Sequence, residues 1–386
     1  MIREIKKSLL KVGIFAIITL SILFYYTSTT SLTHTYSLAS RAHASVNSSD
    51  VIPNYLHYVH IMPDSPDHDI AFELKHFISV YSSLFHFQPD AIFIHTDASS
   101  ASIERARAGA FNTSRWTNKI LTLPSVVVRH IVAPTVTTRG VPITRIEHKS
   151  DFVRTRAVLE YGGIYLDWDI YALRSVATLR KSGFANVVGR QKLGAVNSGF
   201  WMSRKGSALM REWVARQDKV FTGGWTVHSN DLLSSIAKSN DYEGMFTRVV
   251  ESLGLMPERK EVLILERNAF APSSWELVDA KALFEAHPGE SVEDPSSLPA
   301  STTKHAFPVG LEDPPLQNRR RFSWEIDYSD SYVMHAFKAV ANQKIDNFDP
   351  EGITMEYLLA RNSNFASVVY PAVKHAIKAG YISAGD

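Results

Sequence analysis

The chain has 386 residues, 41 Lys+Arg against 39 Asp+Glu for a formal charge of +2, 45% hydrophobic and 21% charged residues, and no cysteine. That composition can bury a core, which excludes a disordered or low-complexity scaffold, and the missing cysteines exclude a disulfide framework, a thiolate nucleophile, Cys-ligated zinc and iron–sulfur clusters. The charge is unevenly placed: Arg3, Lys6, Lys7 and Lys11 against Glu4 give the first eleven residues a net +3 and leave −1 for the rest.

After that basic cluster, Val12 to Tyr26 carries no charge. Counted from Leu9 the apolar run is about 18 residues, or roughly 27 Å as a helix, enough to span a thin secretory-pathway bilayer. Ala42-His43-Ala44 is the only A-x-A-like triplet nearby, and it lies too far beyond the run to suit signal peptidase, so an uncleaved anchor is expected. The basic flank orients the N-terminus to the cytoplasm. The expected organisation is type II: a cytoplasmic tail over 1–11, a signal-anchor over 12–26, a Ser/Thr/Ala-rich stalk over 27–50 and a luminal domain over 51–386. Asn47 and Asn112 head sequons that suit a luminal face as glycosylation sites.

From Val51 onward, strand-like runs alternate with helix-period segments, the pattern of an α/β domain. Ile52 to Ile61 and Ala91 to His95 read as buried strands; between them Phe72, Phe77, Ile78, Tyr81, Leu84 and Phe85 recur at helical spacing. Ser125 to Ile131 is a further strand. A helix from about His148 to Tyr161 and a strand from Gly163 to Leu166 come next, then strands near Asn186 to Gly189 and Ala195 to Met202. Helices near Ser207 to Val220 and Asp231 to Lys238 follow, with Ser229-Asn230-Asp231 as the N-cap region of the second. The proline-rich stretch from Ala286 to Arg321 is expected to be a surface loop or lid, followed by a strand from Tyr332 to Phe337.

The informative segment is His148 to Ile170. Its helix ends at Tyr161, Gly162-Gly163 supplies a C-terminal cap, and the strand Ile164-Tyr165-Leu166 runs into Asp167-Trp168-Asp169. Two carboxylates thus arrive at the carboxyl end of a buried strand, where open α/β sheets bind ligands. Oxygen ligands spaced in this way suit a hard divalent cation that must also hold a diphosphate.

This segment resembles the D-x-D region of family 32 glycosyltransferases, a group that includes outer-chain and inositolphosphoceramide mannosyltransferases, and is similar to the glycosylating domains of large bacterial toxins. The residues that carry the resemblance are Lys149-Ser150-Asp151, Arg154, the run Tyr161 to Asp167, and Asp169. More loosely, Asn197-Ser198-Gly199-Phe200 resembles the segment after D-x-D, and Tyr332 to Lys338 a late His-bearing strand. The resemblance implies a GT-A fold, a nucleotide-sugar donor (GDP-mannose or a UDP-hexose) and Mn²⁺ or Mg²⁺. Carried over by residue, it makes Asp167, Asp169 and His335 metal ligands and Asp151, Arg154, Tyr165 and Asp167 donor contacts. Asn197 is a candidate sugar or acceptor contact and is counted with Asp167 and Asp169 as catalytic.

The expected function is a metal-dependent retaining hexosyltransferase, with mannosyl transfer among the candidates, acting on a glycan or sphingolipid acceptor in the Golgi or ER membrane. An inactive glycosyltransferase-like subunit serving an active partner, or a membrane-tethered lectin, is the alternative. A haloacid-dehalogenase-type phosphatase also places D-x-D at a strand end, but wants a small Thr or Val where this chain has Tyr171. Nucleic-acid binding has no support, because no basic patch exists beyond the terminal flank and Arg319-Arg320-Arg321.

Overall fold

A computed structural model describes residues 51–110, 114–239, 261–292, 322–337, 345, 348 and 352–386, all within one compact unit spanning 47–386. The apolar run 12–26, the stalk, the sequon residues Asn47 and Asn112, Arg319–Arg321 and most of the proline-rich stretch lie outside the described residues. No helix among the described residues is long and apolar enough to cross a membrane.

The fold is mixed α/β around a parallel-rich sheet. Its strands are β1 (Tyr55–His60), β2 (Ala91–Thr96), β3 (Val126–His130), β4 (Gly163–Leu166), β6 (Asn186–Arg190), β7 (Val196–Ser203) and β8 (Val262–Leu265), while β5 (Ile170–Ala172) and β9 (Val333–His335) pair separately. The order in the large sheet is β3-β2-β1-β4-β7-β6-β8. β3, β2, β1 and β4 are parallel, and β7 runs antiparallel to both β4 and β6. The strand order therefore reverses at β1 and β4, the place where such sheets open a crevice at their carboxyl ends.

The period-2 alternation of the strands sorts their side chains into two cores. Leu56, Tyr58, Ile164 and Leu166 pack with Phe77, Ile78 and Tyr81 of helix α1 (Leu74–Phe87). Val59 and Tyr165, pointing the other way, pack with Val153 and Val158 of α2 (Ile146–Tyr161) and with Leu209, Met210 and Trp213 of α3 (Ala208–Val220). Glu73 and His76 form a reciprocal capping box at the start of α1. The C-terminal helix α4 (Asn364–Lys378) lays Phe365, Val369 and Val373 into the first core.

The two glycines before the D-x-D strand are fixed by space as well as by backbone angle. Gly162 has φ +67, and a Cβ there would lie 2.5 Å from Lys205 N; at Gly163, φ +117, it would lie 2.5 Å from Tyr55 O. Only glycine lets the helix end turn directly into a strand at this closeness.

Behind that turn, His57 and His95 are buried on neighbouring strands. The Gly162 carbonyl can only accept, so His57 Nε2–H donates to it at 2.8 Å. Neutral His57 then has Nδ1 as an acceptor, and His95 Nε2–H donates to it at 3.0 Å. Burial lowers His57 to about 4 and His95, beside His57, to about 3. Below pH about 6.5 the unfolded chain takes up protons that the folded one refuses, so stability should be level above pH 7 and fall through pH 6 to 4. The expected loss is about 2 kcal/mol apiece by pH 5. Calorimetric unfolding at pH 7, 6 and 5 checks this, and a thermal midpoint unmoved between pH 7 and 5 would contradict the neutral pair.

Candidate active site

β4 delivers Asp167 and Asp169 to the crevice, and the residue between them anchors the turn. Trp168 Nε1 donates to Val59 O at 2.7 Å, and its ring packs 4.5 Å from Phe72 and 4.8 Å from Tyr58, centroid to centroid. With Trp168 pinned underneath, the two flanking carboxylates project into the crevice. Each keeps part of its side chain open to solvent, 33% for Asp167 and 38% for Asp169.

Asp167 is held from the α2 side. Its Oδ1 accepts from Tyr165 OH at 2.6 Å and from Arg154 Nη1 at 3.1 Å. Arg154 Nη2 donates to Ser198 Oγ at 2.7 Å and also pairs with Asp151 one helical turn earlier. The guanidinium lies 5.1 Å from the Tyr165 ring centroid and 5.8 Å from that of Trp201, a planar cation stacked on aromatic faces. Burial works against the Arg154 charge, but Asp151, Tyr165 and Asp167 outweigh it and raise its pKa. With Oδ1 occupied twice, Oδ2 is the oxygen that remains for a ligand.

Asp169 is held from the opposite side. β5 follows it immediately and pairs antiparallel with β9, placing Ile170 opposite His335, while Ala336 N donates to Asp169 O at 2.9 Å. This short ladder sets His335 Nε2 3.3 Å from Asp169 Oδ1. Burial raises Asp167, whereas for Asp169 the adjacent His335 overcomes burial and lowers the carboxyl. Neighbouring carboxylates are thus pushed in opposite directions by their surroundings.

Asp167, Asp169 and His335 each present a ligand atom within 4.8 Å of the others. Two carboxylate oxygens and one imidazole nitrogen suit a divalent ion of the Mn²⁺ or Mg²⁺ kind. The space beside them is kept by glycine: a Cβ on Gly199 would lie 2.6 Å from His335 Cε1, 2.8 Å from Asp167 Oδ2 and 2.8 Å from Asn197 Oδ1. The residues present therefore fit such an ion, and these three would hold it.

Of the sequence-derived candidates, Asp151, Arg154, Tyr165, Asp167, Asp169 and His335 converge here. Asn197 is also adjacent, but both ends of its amide are engaged within the protein: Nδ2 donates to Gln191 Oε1 at 2.6 Å and Oδ1 accepts from Gly199 N at 2.6 Å. Asn230, expected in a helix cap, sits instead in a π-turn over Val227–Asp231 and accepts from Ser198 N at 3.0 Å. A π-turn has no sequence signature, and its occurrence at functional sites is common. Gln191 and His228 join the site with no motif in the sequence to mark them, and Ser198, quoted only within the Asn197–Phe200 segment, takes the Arg154 Nη2 bond. His228 Nε2 lies 2.8 Å from Asp151 Oδ2, though off the axis of a hydrogen bond.

Residues 75–191 match a family described as the glycosyltransferase sugar-binding region containing DXD motif. Glucan organizing enzyme 1 of Cryptococcus neoformans var. grubii serotype A is 24% identical over 193 residues, 46% of this chain and 48% of that protein; the match spans about half the length of that relative. Among solved structures, the glycosyltransferase GlyE of Streptococcus pneumoniae TIGR4 aligns with a TM-score of 0.37 at 10% identity, over 84% of this chain and 64% of that one. Mouse xyloside xylosyltransferase 1 aligns with a TM-score of 0.30 at 14% identity, over 57% and 87% respectively. Residues 75–191 thus match a glycosyltransferase sugar-binding region containing a DXD motif, and Asp167-Trp168-Asp169 is the D-x-D within them.

Proposed function

We propose that the chain is a metal-dependent, retaining hexosyltransferase of the GT-A type, taking its sugar from GDP-mannose or a UDP-hexose. The single observation that carries this reading is the convergence of Asp167, Asp169 and His335 within 4.8 Å, the two carboxylates lying in the segment 75–191 that matches a glycosyltransferase sugar-binding region. A divalent cation held there would neutralise the charge that develops on a diphosphate leaving group, where such stabilisation is most effective. Tyr165 and Arg154 fix one oxygen of Asp167 so that the other keeps its aim. Asp151 and Arg154, three residues apart on α2, offer a paired acceptor and donor for the hydroxyls of the donor sugar and ribose. No carboxylate of this chain is assigned as a covalent nucleophile.

The acceptor on this reading is a glycan or a sphingolipid headgroup, and the setting is the lumen of the Golgi or ER behind the type II anchor. What supports the setting is the basic-then-apolar N-terminus. The test is a donor screen with the full chain in mild detergent, following nucleotide release from UDP- and GDP-sugars with and without Mn²⁺. Release from one donor that depends on the cation is the expected result. No release from any donor would favour an inactive subunit.

A further inference from the structure

Among the described residues Trp225 is the large aromatic side chain that the fold leaves most open, with 59% of its surface exposed. Neither core uses it. Its neighbours Ile146 and Val227 are also partly open, at 38% and 36%, and the Arg145 guanidinium lies 5.7 Å from its ring centroid. Arg145 is the residue at the N-terminal boundary of α2 and makes no side-chain capping bond there; in a β3–α2–β4 crossover between parallel strands that helix start lies at the carboxyl edge of the sheet, the same edge as the D-x-D.

A series of tilted and edge-on ring contacts, continued by ion pairs, links this open ring to the candidate active site. The His148 ring is 5.8 Å from Trp225 and 4.9 Å from His228, and His228 Nε2 is 2.8 Å from Asp151 Oδ2. Asp151 pairs with Arg154, which reaches Asp167. His148, His228, Asp151 and Arg154 are all buried, so Trp225 is the solvent end of a line of contacting side chains whose other end is the D-x-D.

Resting on the glycosyltransferase reading above, we infer that Trp225, flanked by Arg145, is the acceptor platform: it stacks a hexopyranose ring of the acceptor glycan. The Arg145 guanidinium lies over the indole ring, so the platform would use the open remainder of the side chain, 59% exposed: an indole face, negative at its centre, matches the C–H face of a pyranose, and the guanidinium can donate to ring hydroxyls. A group that faces solvent on one side and is immobilised on the other loses little freedom on binding. The crevice holding Asp151 and Arg154 would take the donor sugar, so a ring on Trp225 would place the acceptor along the same line of side chains.

The test compares the full chain with its Trp225→Ala and Trp225→Phe variants, using methyl hexopyranosides and short manno- and galacto-oligosaccharides as acceptor probes. Trp225→Ala should raise the acceptor KM about tenfold with a much smaller change in the donor KM, and Trp225→Phe should recover most of the loss. A parallel rise in donor and acceptor KM, or no change in either, overturns the proposal. So does an unchanged acceptor KM accompanied by a tryptophan emission shift on reconstitution into phosphatidylcholine vesicles that disappears in Trp225→Ala, which would make Trp225 a membrane contact. If the wild-type chain transfers nothing, the enzymatic reading fails separately. Saccharide-induced quenching of tryptophan fluorescence then decides the platform: loss of the quench in Trp225→Ala supports it, and its persistence refutes it.

Discussion

Asp169→Asn should lower sugar transfer by about 10²–10³-fold, the scale on which a single preorganised electrostatic contact acts in the transition state. The substitution preserves shape and removes one charge. Little of the fold depends on that charge, since the side chain is 38% exposed and its charged contact is His335 at 3.3 Å; the strand pairing there uses the Asp169 backbone carbonyl instead. The thermal midpoint should therefore stay close to wild type while cation affinity collapses. Turnover at saturating donor, read together with cation titration by calorimetry, checks both halves. Full turnover in the variant would remove Asp169 from the chemistry.

Arg154→Met should act in the opposite way, on folding first. Arg154 is buried and joins Asp151, Asp167 and Ser198, so its loss strands two carboxylates that had been balanced against one cation. Removing one partner of a buried ion pair costs about 3–5 kcal/mol. Arg154→Lys should recover only part of this, because an ammonium cannot offer the planar fork that reaches three groups at once or stack on Tyr165 and Trp201. Urea unfolding midpoints of the three proteins measure the order wild type, Lys, Met. Equal midpoints for wild type and Met would show that the network contributes nothing net to stability.

The parallel strands and the two long helices that sandwich them are legible because each carries a strong period: β1, β2 and β4 are apolar runs bounded by turn residues, and α1 repeats its aromatics every three or four positions. The ends shift by a residue or two, as with α2, which begins at Ile146 instead of His148. Short elements defined by their partners are not legible. β5 is three residues long and exists because β9 pairs with it, so no local pattern announces it. α4 shows the converse. Its apolar face is regular, but Pro371 lies inside it, and a proline argues against a helix interior until the packing around it is known.

At the site, the D-x-D and its two helical partners were visible because Asp151, Arg154, Asp167 and Asp169 share one continuous segment. What the sequence could not show is how oxygens are apportioned. That Tyr165 and Arg154 both take Oδ1 of Asp167 and leave Oδ2 depends on side-chain geometry across β4 and α2. The Ser198–Asn230 contact joins residues 32 apart through a π-turn. Gly199 could be quoted from the sequence, but only its position between His335 and Asp167 explains why no side chain is tolerated there.

The β5–β9 ladder has a bearing on how the chain matures. His335 is encoded 166 residues after Asp169 and reaches it through three paired positions. A growing polypeptide that has completed β7 already owns both carboxylates and the Arg154 clamp, yet lacks the imidazole. Any ion gripped by all three groups would then favour the docked arrangement over one with β9 detached, by the ordinary linkage between ligation and conformation. Ligand affinity at this crevice would consequently report whether β9 has found its place.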